Sequence, residues 1–183
     1  DVLSSRGLGD VYKRQSVGYA GGEKNNPTYY EVCSGLTGHS EVVRVIWDKR
    51  EIDVSDLLKM FWECHDPTQK NRQGNDMGTQ YRSAIYYKNE NNIKTILASK
   101  EQYQAELSKK NLGLIETEIK MIDSYFYAEQ YHQQYLASAG SRQYCSASPT
   151  KVKLGVFTGS NYKLEDHIWE NFNWEVDKCV LRS

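Results

Sequence analysis

Most of the features that announce a chemistry are missing from this sequence. Its four cysteines, Cys33, Cys64, Cys145 and Cys179, form no CxxC pair, which argues against a structural zinc site and against a thioredoxin-type motif. Spread this widely they read as reduced intracellular thiols, with Cys33 and Cys64 acting as small hydrophobes in apolar surroundings. No apolar run approaches the ~20 residues that a membrane helix needs, and the start carries no signal-peptide core. Lys and Arg number 23 against 24 Asp and Glu, so there is no basic field to hold nucleic acid or an anionic membrane. No internal repeat marks a solenoid. Between Asp1 and Tyr19 no serine or cysteine stands in a recognisable nucleophile setting. What remains, 183 residues of which 39% are hydrophobic, is enough to bury one core. The expectation is a soluble, cytoplasmic, monomeric single domain.

Two stretches carry the chemical content. Arg72–Tyr87, RQGNDMGTQYRSAIYY, sets two glycines, a carboxylate and a tyrosine hydroxyl just ahead of a strand-like run. Asn26–Val45, NPTYYEVCSGLTGHSEVVRV, repeats the combination with Tyr29, His39 and Glu41. Glycine frees the backbone to turn sharply, so two such loops can converge on one small polar group. Around them the periodicities predict alternating elements. Val43, Val45 and Trp47 alternate with Val42 and Ile46 in a central strand over 41–48. Ser55 caps a helix to about Cys64, striped by Leu57, Leu58, Phe61 and Trp62 and stopped by Pro67. Strands follow at 83–88 and 116–123, separated by a longer amphipathic helix through Ile93, Ile96, Leu97 and Leu107. Tyr127, Tyr131 and Tyr135 fall four apart and predict a helix with an aromatic stripe. Ile168, Trp169, Phe172 and Trp174 are expected to clamp the tail onto the body. This order predicts an α+β domain with one mostly antiparallel or mixed sheet.

Five blocks, GYAGG at Gly18–Gly22, NPTYYEVCSGLTGHSEVV, FWECHDPTQ, RQGNDMGTQYRSAIYY and YFYAEQYHQQYL, resemble in order those of the peptide-methionine (S)-S-oxide reductases, the A class of methionine sulfoxide reductases. The resemblance covers Ser16–Cys145. It implies a ferredoxin-like α+β core with a loop-rich C-terminal tail, and reduction of the S epimer of methionine sulfoxide, free or in proteins, with no cofactor. By motif it makes Tyr29 and Tyr81 the hydroxyls aimed at the sulfoxide oxygen, Glu41 the acid and Asp76 a supporting carboxylate. It makes Cys145 the first resolving cysteine, Cys179 a weaker candidate for a second, and thioredoxin the reductant. The family's nucleophile, in a GCFWG block about twenty residues before GYAGG, has no counterpart in this sequence. Residues 1–15 do not resemble the family's first helix and are expected to be foreign or disordered, ahead of a reductase-like domain over 16–145 and a tail over 146–183. The chain as written is therefore expected to be inactive.

The chemistry explains the residue types. A sulfoxide sulfur becomes a good electrophile only when its oxygen is hydrogen-bonded or protonated as a thiolate attacks. Two phenols can donate without adding charge, as in an oxyanion hole, and a carboxylic acid in a poorly hydrated pocket can deliver the proton. The nucleophile is left as a sulfenic acid, which a second thiol condenses to a disulfide. Two other classes compete. His39, Glu41, His65, Asp66 and Asp76 supply atoms for a divalent-metal hydrolase, although no HExxH-type spacing is present. Without its nucleophile the pocket is also a candidate binding module for methionine sulfoxide. His39 and His65 are read as structural, bonded to backbone.

Overall fold

Antiparallel and parallel strand pairs both occur in the computed structural model, which describes residues 12–135, 148–165 and 167. Strand β1 (Tyr12–Ala20) lies between β2 (Ser40–Trp47) and β7 (Tyr125–Tyr127), antiparallel to both. A second ladder pairs β5 (Ala84–Tyr87) in parallel with β6 (Glu118–Met121). A two-residue hairpin joins β3 (Arg72–Gln73) to β4 (Asp76–Met77). The helices are α1 (Tyr29–Cys33), α2 (Val54–Cys64) and α3 (Ile93–Lys109).

Four expectations change. The strand at 41–48 is an edge of its sheet, because β1 takes the central place. Lys13, Arg14 and Gln15 give β1 no apolar alternation, so its pairing with β2 decides its state. β1 also begins at Tyr12, inside the segment expected to stand apart from the domain. Helix α2 is capped by Asp53 rather than Ser55, in a box where Asp53 and Asp56 each accept from the other's backbone N–H region. Most consequential, the tyrosines at 127, 131 and 135 do not share a helix. Tyr125–Tyr127 extends to pair with Gly18–Ala20, and only a 3-10 turn, Gln130–His132, follows. That pairing needs Gly18, since a Cβ there would sit 2.2 Å from the Phe126 carbonyl oxygen.

The main core forms where α2 and α3 meet the segment 150–162. Trp62 stacks on Tyr103 at 5.6 Å and donates its indole N–H to Ser99 Oγ. Val152, Leu154 and Phe157 complete the cluster from the C-terminal side. Two buried acids of α2 fasten this segment: Glu63 accepts from the Leu154 N–H at 2.8 Å and pairs with Lys59 and Lys153, while Asp56 accepts from the Lys163 N–H. The opposite flank of α2 faces β1, β2 and β5 across an open groove.

Candidate active site

The groove encloses about 1010 Å³, and at one end Tyr29, Glu41, Asp76, Gln80 and Tyr81 line it together. Each arrives by a different local device. Tyr29 begins α1 just after Thr28, whose side chain accepts from the Glu31 N–H while Glu31 accepts from Thr28. Glu41 is the second residue of β2, across the ladder from Tyr19. Asp76 opens β4, half-buried. Tyr81 ends a 3-10 turn, Thr79–Tyr81, entered through Gly78 at φ 143°, a conformation open to glycine and strained for other residues.

The electrostatics place the two phenols in one field. The Tyr29 hydroxyl is pushed well above its ordinary range, first by its hydrogen bond with the Cys33 side chain, then by burial and by the charges of Cys33 and Glu41. Burial raises Tyr81 as well, reinforced by Glu41 and Cys33 and, more weakly, by Asp76. Both phenols thus remain protonated donors across the physiological range. Glu41 is exposed at this end of the groove, so the poorly hydrated setting expected for it is not supplied by the surrounding strands: β2 is an edge, and the space in front of it is open.

Behind Tyr29 lies a network the sequence reading missed. Glu129 accepts from the Tyr29 backbone N–H and from the Tyr19 hydroxyl, both at 2.8 Å. Burial alone would raise the Glu129 carboxyl, but these donors outweigh it and hold it below 4.5. His132 sits on Tyr29 with ring centres 4.6 Å apart. Gln133 bonds both backbone groups of Val17, finishing the edge that β7 leaves. The AEQYHQQ run carries this signal in Glu129 and Gln133, hidden by the four-residue spacing of its tyrosines. Cys33 is also closer to the site than an inert apolar thiol would be.

Other candidates fall elsewhere. His39 accepts from the Gly22 N–H and donates to the Lys24 carbonyl. His65 donates to the Phe61 carbonyl and accepts from Ser83. Among the described residues no group of three His, Cys, Asp or Glu side chains is arranged to hold a metal ion. Cys33 and Cys64 are in no disulfide; Cys145 and Cys179, and the expected clamp at Ile168, Trp169, Phe172 and Trp174, lie outside the described residues. No helix among the described residues is long and apolar enough to cross a membrane.

The chain is similar to known proteins in sequence and in fold. The family model for peptide methionine sulfoxide reductase matches residues 8–162. The peptide methionine sulfoxide reductase MsrA of Azotobacter vinelandii is 56% identical over 139 residues, 76% of this chain and 64% of that protein. The mitochondrial enzyme of Bos taurus is 54% identical over 151 residues, 81% of this chain and 64% of its own length. The chain thus spans somewhat less than two thirds of these curated relatives. Among solved structures, reduced Mxr1 from Saccharomyces cerevisiae superposes with a TM-score of 0.71 at 32% identity, covering 80% of this chain and 83% of that one. Methionine sulfoxide reductase A of Corynebacterium diphtheriae gives 0.61 at 38% identity, over 75% and 73%. With its family match, its relatives and its fold in agreement, the chain belongs to the peptide methionine sulfoxide reductase family.

Proposed function

We propose that the groove end binds the S–O group of methionine (S)-sulfoxide, free or within a protein, and that the domain serves its thiol-dependent reduction to methionine. The supporting observation is the meeting of Tyr29, Tyr81 and Glu41 on one cavity, with both phenols held protonated by burial and by neighbouring negative charge. In this reading the phenols donate to the sulfoxide oxygen and Asp76 steadies Tyr81. Glu41 delivers the proton once substrate or another covering group excludes water from it. A thiolate attacks sulfur, methionine leaves, and the sulfenic acid condenses with Cys145, with Cys179 as a candidate second relay and thioredoxin as the final reductant.

No GCFWG-type thiol motif occurs in these 183 residues, and the second reading is a binding module for the sulfoxide. The experiment is a turnover assay with dithiothreitol in two chains: the sequence as given, and one with a GCFWG-containing segment fused ahead of Ser16. The first is expected to be silent and the second active, with Glu41→Gln in the second lowering turnover by about 10²–10⁴. An inactive fusion that still folds, or an undiminished Glu41→Gln variant, contradicts the assignment. Turnover by the unmodified chain that disappears in Cys33→Ser would move the nucleophile to α1.

A further inference from the structure

Glu41 and Tyr81 meet on the groove from segments that no strand ladder joins. Glu41 enters β2 three residues after Gly38, which is left-handed at φ 72°, and Tyr81 ends the turn that starts at Thr79, just ahead of β5. Among the described residues β2 and β5 lie in different sheets. One side chain spans the two segments. Arg82 donates from Nη2 to the Gly38 carbonyl at 3.0 Å and from Nη1 to the Thr79 carbonyl at 2.8 Å. Its Nε donates to the Glu118 carboxylate at 2.9 Å, and Nη2 also donates to the Tyr86 hydroxyl at 2.9 Å. Four acceptors from four residues thus converge on one guanidinium whose side chain is only 17% exposed.

The Tyr86 hydroxyl carries the link on to β2. Its single proton goes to Glu118 at 2.6 Å, because an ionised carboxylate can only accept. It therefore accepts from Arg82 and from the Ser40 hydroxyl at 3.0 Å. Ser40 is fully buried and stands next to Glu41 in the chain. Burial opposes the charge on Glu118, but Tyr86 and Arg82 outweigh it, so the carboxylate stays available to both donors. The hub also has little room to shift: a Cβ on Gly21 would sit 2.2 Å from the Tyr86 hydroxyl oxygen.

We propose that Arg82 is a positioning residue which, through Gly38 and Ser40 on one side and Thr79 on the other, sets the separation of the Glu41 carboxyl and the Tyr81 hydroxyl, an inference that rests on the proposed recognition of the sulfoxide by these two groups. The task suits a guanidinium. Its donors leave a rigid plane in fixed directions, so one cation reaches carbonyls on two segments while Glu118 balances its charge. An ammonium offers three donors from a single point and cannot span the same four acceptors. Lysine at this position therefore keeps the charge and the pair with Glu118 but lets the two segments move apart.

The test compares, in the full-length chain, Arg82→Lys with Ser83→Ala, a neighbouring change that removes a hydroxyl bonded to His65 and Thr117 and not to either segment. Amide hydrogen exchange comes first, read at His39 and Tyr81, whose N–H groups bond Thr37 Oγ1 and the Gly78 carbonyl. In Arg82→Lys both are expected to exchange about tenfold faster, and in Ser83→Ala neither. Tyr86→Phe, which cuts only the Ser40 arm, should act at His39 alone and serves if Arg82→Lys does not fold. Titration with a methionine (S)-sulfoxide peptide should then give a Kd about tenfold higher in Arg82→Lys, the equivalent of one hydrogen bond lost from the sulfoxide, and unchanged in Ser83→Ala. Exchange that stays slow at either segment overturns the coupling. Faster exchange with the parent's affinity leaves Arg82 a structural residue and overturns the positioning role, as would equal effects in Ser83→Ala. A parent that takes up no sulfoxide peptide sinks the proposed recognition instead, and exchange at the two segments still decides whether Arg82 couples them.

Discussion

The two flanks of α2 are made from the same eleven residues and solve opposite problems. On one flank Trp62 is closed over by α3 and the 150–162 segment, and even the charged residues are buried, Glu63 between Lys59 and Lys153, Asp56 beneath the Lys163 backbone. On the other, Val54, Leu57 and Phe61 look across a groove that ends at Tyr29, Glu41 and Tyr81. The first flank provides stability; the second leaves room for a ligand. A binding site needs surface that folding has not used, and this helix separates the two by face.

Substitutions on the two flanks test this division. Trp62→Ala, on the closed flank, should cost about 3–5 kcal/mol by chemical denaturation, as expected for a large aromatic lost from a packed core. Leu57→Ala, on the open one, should cost only about 1 kcal/mol because the side chain is already half in water. Equal losses would erase the distinction. Glu63→Ala comes close to the Trp62 effect, about 3 kcal/mol, because Lys59 would remain buried without its carboxylate; restoring stability with a second change, Lys59→Met, would show that the stranded charge is the cause.

Acidity separates the flanks in sign. Burial raises the Asp56 carboxyl above its ordinary 3.8 despite its backbone donors, so the folded state holds that proton more tightly. Its contribution is fully present below 3.8 and is lost as pH rises through the raised folded value. Glu118 behaves oppositely. Burial opposes its charge, but the Tyr86 hydroxyl at 2.6 Å and the Arg82 guanidinium at 2.9 Å outweigh burial and hold it below 4.5. Its contribution is present above 4.5 and is lost as pH falls through the lowered value. In denaturant melts between pH 7 and pH 4, Glu118→Gln should flatten the loss of stability on acidification and Asp56→Asn should steepen it. The same slope for both would contradict the assigned environments. At the small end, Lys109→Ala removes an exposed pair with Glu106 at 2.7 Å and should change stability by less than about 0.5 kcal/mol.

Much of this could be read in the residues because it rests on local rules. Pro67 and the Leu57–Trp62 stripe located α2 to within a residue or two, and the glycine-flanked Tyr81 and the Thr28-capped Tyr29 came together on one cavity from loops distant in sequence. What escaped depends on distant pairing. β1 has no alternation of its own and is a strand because β2 and β7 flank it on both sides. The tyrosines after Phe126 keep helical spacing, yet Glu129 is engaged by Tyr19 and Tyr29, and no local pattern records that. Exposure of Glu41 was equally hidden, since the dryness of a carboxylate is a property of what lies in front of it.

The central claim is that Tyr29, Tyr81 and Glu41 recognise one S–O bond. The most direct measurement is a titration of the full-length chain, followed by amide NMR, with a short peptide containing the S epimer of methionine sulfoxide. The account predicts saturable shifts confined to residues around 29, 41 and 81, weakened in Tyr81→Phe and absent with the unoxidised methionine peptide. Equal responses to sulfoxide and thioether, or shifts that avoid these three positions, would contradict it.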